Sequence, residues 1–121
     1  MTILVIGWVA IIATVGVAAT SVGSLFAARE QAYTAAEAAA LAAAVATYPP
    51  AGPGLPVALA AEYAARNGSW LVSCRCQVDL SIRPRTVMVT AAREVDVPIF
   101  GRVTVQASAR SEFDPGLWLG E

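Results

Sequence analysis

Histidine and lysine do not occur in this chain, and charged residues of any kind make up only 14% of its 121 positions. Without histidine the commonest general base is gone, and with it the Ser–His and Cys–His nucleophile pairs and most zinc and non-haem iron sites. All eight basic residues are arginines and the formal net charge is −1. No basic stripe is available to displace counterions from a nucleic acid. Cys74 and Cys76 are the only sulfur pair, too few soft ligands to close a metal tetrahedron. No glycine-rich loop follows a strand and opens a helix, and in Gly52-Pro53-Gly54 the proline removes a donor that an anion cradle needs. Nothing in the spacing of Glu62, Glu94, Asp96 and Glu112 predicts a shared acid–base pocket, and surface solvation is their default reading. The sequence therefore predicts no enzyme, no cofactor, no metal and no small-molecule substrate.

What the chain does have is hydrocarbon: 57% of its residues are hydrophobic. That is too apolar for a disordered tail, and the length suits one small domain. Residues 3–28 carry no charge, and a helix needs only about 20 residues to cross a bilayer. Trp8 is placed to sit near one interface, and Arg29 and Glu30 mark the other. The segment is rich in Gly and Ala rather than Leu, which suits packing among other helices. Gly16, Thr20 and Ser24 form one small-residue row, and Ala19, Gly23 and Ala27 the next. Gly16, Ala19, Thr20 and Gly23 are the candidate helix-packing residues. A signal peptide cut near Ala19 is the competing reading, but no basic n-region precedes it.

Residues 29–47 continue the helix through a run of alanines with no breaker. One helix over 3–47 is expected, about 68 Å long at 1.5 Å per residue. Pro49 and Pro50 end it. Leu41 and Val45, one turn apart, are expected to dock it onto a domain. Residues 48–55 are a Pro/Gly-rich linker.

Residues 56–121 are expected to form a small α+β domain. Pro56 opens a short helix that reaches Arg66, and Asn67-Gly68 stops it. Val57, Ala60, Ala61 and Ala64 give that helix a small-residue face. Alternation then predicts a strand over 70–82, a turn at Arg83-Pro84-Arg85, a second strand over 86–97 interrupted on its apolar face by Arg93, a turn over 98–101 and a third strand over 102–110. Three sequential strands with short turns make an antiparallel meander with one covered face. Residues 111–121 read as irregular, with Trp118 as an anchor on the domain or a contact for a partner. Few large aliphatics are present, so the domain leans on the long helix, on neighbouring subunits or on the bilayer.

Cys74 and Cys76 fall on the same side of the first strand. Buried thiols, a disulfide between them, and an intermolecular bond all remain open. Arg83 and Arg85 flank a turn and are read as solubilising.

A membrane helix leads into Arg29-Glu30-Gln31-Ala32, then Ala35-Ala36-Glu37-Ala38-Ala39-Ala40-Leu41. A short Ala-rich helix, Asn67-Gly68, a Leu71-Val72-Ser73-Cys74 strand and a valine-rich β end follow. This arrangement resembles the TadE/TadG-like pilus-assembly proteins of actinobacteria, the minor pilin-like components of the tight-adherence (Flp pilus) system. The resemblance implies a non-enzymatic, single-pass pseudopilin of a type II-related secretion assembly, with its domain exported. It implies other pilin-like subunits, the inner-membrane assembly platform and membrane lipid as partners. Read alone, Arg29 would put the C-terminal part in the cytoplasm by the positive-inside rule, the opposite of what the resemblance implies. A membrane-anchored adhesion module and a secreted soluble factor are the alternatives to a pilus role.

Overall fold

A computed structural model describes residues 1–52 and 54–119, without the side chain of Trp118. The expectations for Trp118 and Pro53 lie outside that description. The elements, in order, are helix α1 (Thr2–Ala46), a single 3-10 turn (Pro49–Ala51), helix α2 (Pro56–Arg66), strands β1 (Trp70–Arg75), β2 (Arg85–Val97) and β3 (Gly101–Phe113), and a final helical turn α3 (Pro115–Leu119). The α+β class, the long N-terminal helix, the short second helix and the three-stranded antiparallel sheet are all present.

α1 is one unbroken helix of 45 residues. Its run stops where Tyr48 leaves helical geometry ahead of Pro49 and Pro50, since a residue before proline is pushed toward extended backbone. Thr47 closes the last turn, its N–H bonded to the Ala43 carbonyl at 3.1 Å and its hydroxyl to that of Ala44 at 2.6 Å. α2 starts with Pro56 in its first turn, where the missing N–H costs nothing. It ends at Asn67, whose side-chain amide donates to the Tyr63 carbonyl at 2.8 Å, and at Gly68, whose φ of +74° is the left-handed conformation glycine tolerates.

The sheet order is β1-β2-β3, antiparallel throughout. α1 crosses one face of it, and α2 packs on α1 beside β1. On β2 and β3, Val87, Val89, Ala91, Ala109 and Ser111 turn toward α1 and are buried. The opposite face is polar along β3, with Thr90 and Ser108 hydroxyls 2.7 Å apart across the strands, while Ala92 on that face is buried in the pair it makes with Trp70 of β1. Ala92 aside, this is the one-sided burial that alternation predicts.

Alanine makes the helix–sheet joint. Ala28, Ala32, Ala35, Ala36, Ala39, Ala40, Ala43 and Ala44 are all buried. They recur every three or four residues, the spacing of one helix face. With Ala60 and Ala64 of α2 and the valines of β2, several of them form a single core cluster. Leu41 and Val45 are not in it: Leu41 is 62% exposed. The expectation that they dock the helix is thus corrected. Small side chains let the helix backbone approach the sheet closely, and a leucine on that face would hold it off. The face of α2 is likewise Pro56, Ala60 and Ala64, with Val57 exposed.

β1 is shorter than its alternation suggests. Pairing slips between Leu71 and Ser73, a bulge that leaves Trp70 and Val72 exposed while Leu71 and Cys74 pack against the core. After Arg75 the chain leaves the sheet, and Val78, Leu80 and Ile82 are exposed. At the other end β3 runs on to Phe113, and Pro115–Leu119 is helical rather than irregular.

Candidate functional site

Residues 76–84 are held by one side chain. The Arg85 guanidinium donates to the carbonyls of Thr47 (3.2 Å), Asp79, Ser81 and Arg83, and lies 4.0 Å from the Asp79 carboxylate. Its side chain is only 10% exposed, and it rests over the Tyr48 ring at 6.0 Å. The Asp79 N–H adds a bond to the same Thr47 carbonyl at 2.8 Å. Arg85 is therefore a clasp between this loop and the end of α1, not the solubilising charge expected of it. The Asp79 carboxyl is held below its ordinary range, first by the Ser81 N–H at 2.9 Å, then by the Ser81 hydroxyl and by Arg85 and Arg83.

Cys74 and Cys76 are joined by a disulfide, with Cα atoms 5.4 Å apart. Cys76 is buried and Cys74 half-buried against the core. The bridge lies where β1 ends and the clasped loop begins.

The carboxylates do not converge. Glu62 pairs with Arg66 at 2.6 Å on the surface of α2. Glu94 and Asp96 each lie 3.6 Å from Arg102 on the outer face of the hairpin. Glu112 stands on that face further along β3, opposite Thr86. Among the described residues no group of three His, Cys, Asp or Glu side chains is placed to hold a metal ion.

The apolar half of α1 is the remaining candidate. It is long and apolar enough to cross a membrane, and its most apolar stretch is exposed. Three of its hydroxyls are satisfied within the helix: Thr14 donates to Ala10, Thr20 to Gly16 and Ser21 to Val17, at 2.8, 2.8 and 2.9 Å. A spanning helix needs this internal satisfaction. Two sides of this half differ. Val17, Ser21 and Leu25 look across an apolar groove at Val97, Phe100 and Val103 of the β2–β3 hairpin. Gly16, Ala19, Thr20 and Gly23 all lie exposed, and no atom lies within 4 Å of where a Cβ on Gly16 or Gly23 would stand. At 100° per residue these four point away from the hairpin. Ala27, Thr34, Leu41 and Val45 are exposed too and continue the same line at spacings of three, four or seven. The sequence showed the small residues but not that the line runs on to Leu41 and Val45.

One helix, long and apolar enough in its first half to cross a membrane, is in its second half the core helix of a small sheet domain. Residues 1–46 match the family model described as "Putative Flp pilus-assembly TadE/G-like", so the resemblance seen in the sequence holds over α1. No curated protein and no solved structure matches the chain.

Proposed function

We propose that this protein is a non-enzymatic, minor pilin-like subunit of a Flp-type (tight-adherence) pilus or related secretion assembly. Its domain stands outside the cytoplasm, and α1 is both its membrane anchor and its assembly surface. The observation that carries the reading is the exposed line along α1: Gly16, Ala19, Thr20 and Gly23 in the apolar half, Leu41 and Val45 beside the domain. Small residues let a neighbouring helix come close within the bilayer, and leucine and valine offer it apolar contact beyond. The partners are other pilin-like helices and the membrane assembly platform. The family match over the same helix supports this reading. The Cys74–Cys76 disulfide supports an extracytoplasmic domain, because such bonds persist in oxidising compartments.

The test is association in membranes. Gly16→Leu with Gly23→Leu fills the line without touching the fold. Loss of co-purifying pilus components with an unchanged circular dichroism spectrum is expected; intact association overturns the proposal. Orientation is read separately with a membrane-impermeant thiol reagent, on Gln106→Cys in a Cys74→Ser, Cys76→Ser background. Labelling in intact cells is expected, and labelling only after permeabilisation places the domain in the cytoplasm.

A further inference from the structure

We propose that the tip of the β2–β3 hairpin, Pro98-Ile99-Phe100, is a second membrane-contacting element. It enters the boundary between headgroups and acyl chains beside α1 and fixes the depth of the domain. The inference rests on the reading of α1 as a membrane span.

Three observations place lipid there. The first is level. The tip lies alongside the uncharged half of α1, across the groove from Val17 and Ser21. Away from the tip, the first charges on the hairpin are Asp96 and Arg102, 3.6 Å apart, and then Glu94. Glu94 and Asp96 line a cleft shared with Ala28 and Gln31, beside Arg29 and Glu30 on the helix. Helix and hairpin thus change from apolar to charged at one common level, as two elements entering one surface do.

The second observation is what the tip presents. Ile99 is 84% exposed and Phe100 74%. Water gives no reason to display two large apolar side chains together at the end of a ribbon whose outer face near the tip carries Glu94, Asp96, Arg102 and Thr104.

The third is the backbone. Ile99 has a φ of +73°, in a turn where Pro98 precedes it and the Phe100 N–H donates to the Val97 carbonyl at 3.2 Å. That third turn position favours Gly or Asn, and a β-branched residue there is strained. A hydrocarbon side chain is kept where a polar one would fit the backbone better. Irregular backbone is not tolerated deep in lipid, so the tip belongs at the boundary, about 5–10 Å in, as interfacial apolar faces are.

The test is tryptophan quenching in the full chain, in phosphatidylcholine–phosphatidylglycerol vesicles with brominated acyl chains. One protein carries F100W with Trp8, Trp70 and Trp118 changed to Phe. The other keeps Trp8 alone, as a reporter of the span. Loss of emission on the order of twofold at both positions, with weak quenching of position 100 by aqueous acrylamide, is expected for a side chain at that depth. If Trp8 is quenched by bromolipid while position 100 is quenched only by acrylamide, the tip is in water and the proposal is wrong. Protection of position 100 from both quenchers means protein, such as a second copy, covers the tip, and also overturns it. An unquenched Trp8 removes the span itself and this inference with it. Should F100W fail to fold, I99W gives the same readout at the more exposed neighbour.

Discussion

The guanidinium of Arg85 donates to the main-chain carbonyl of Thr47 at 3.2 Å, across 38 residues of sequence. The same side chain collects the carbonyls of Asp79, Ser81 and Arg83. A hydrogen bond to a charged group is worth about 1.5–3 kcal/mol. Arg85→Ala is expected to lower unfolding free energy by about 3 kcal/mol, measured by denaturant titration in detergent. Arg85→Lys restores only part of this, because an ammonium cannot span the four acceptors as a planar fork does. An R85A protein as stable as the parent would show that the clasp contributes nothing.

The alanine joint predicts an inversion of the usual rule that larger apolar residues stabilise. Ala36→Leu or Ala39→Leu inserts bulk where exposure is zero and is expected to cost about 1–3 kcal/mol or more. Leu41→Ala, on the exposed side, is expected to change stability by no more than about 0.5 kcal/mol while weakening the helix association proposed for α1. Thermal unfolding and co-purification read the two effects apart.

The disulfide joins residues at a sequence separation of only 2. Loop-closure entropy for so small a ring amounts to about 1.6 kcal/mol. Reduction is therefore expected to lower the unfolding midpoint modestly and leave the sheet in place, as followed by far-ultraviolet circular dichroism in reductant. Complete unfolding on reduction would assign the bridge a far larger role.

Asp79 gives a pH dependence of known sign. Its folded pKa lies below the ordinary value because the Ser81 N–H and hydroxyl, then Arg85 and Arg83, favour the carboxylate. Its contribution is present in full above the unfolded value of about 3.9 and is lost as pH falls through the lower folded value. Asp79→Asn is expected to flatten stability in that acid window and to leave its slope near neutrality unchanged.

Ile99→Asn relieves a β-branched residue at φ +73°. A gain of about 1 kcal/mol in detergent is expected, since the left-handed conformation costs ordinary residues about 1–2 kcal/mol. No gain in the unfolding midpoint would mean that the turn carries no such strain.

The sequence was most legible where a signal is local and unbroken. The alanine run from Arg29 to Thr47 has no breaker before Pro49, and α1 ends there. Alternation in β2 and β3 reads onto buried Val87, Val89, Ala91, Val97 and Ala109, but not onto Ala92, which is buried in the opposite phase beside Trp70. β1 misled, because a period of two cannot register a bulge: Leu71 and Cys74, three apart, face the core together. Beyond Cys76 the apolar alternation persists, but Arg85 and the Asp79 amide fold that segment toward Thr47 instead of the sheet. Arg85 resembled any surface arginine because its four acceptors are backbone, which leaves no mark on side-chain identity. In the helix, Leu41 and Val45 looked like the docking pair, yet close approach selects alanine, so the larger residues were left outward. The small-residue line at Gly16, Ala19, Thr20 and Gly23 could be seen in sequence. The hairpin lying across from Val17 could not, since that contact joins segments some 80 residues apart.

α1 has neither a hinge nor a proline between its apolar half and its alanine-lined half. A pull along its axis therefore reaches the sheet as shear, shared by every alanine contact from Ala28 to Ala46 at once, rather than as a peel that opens one contact at a time. Any axial load on the apolar half of α1 is therefore a load on the β domain, in one mechanical event.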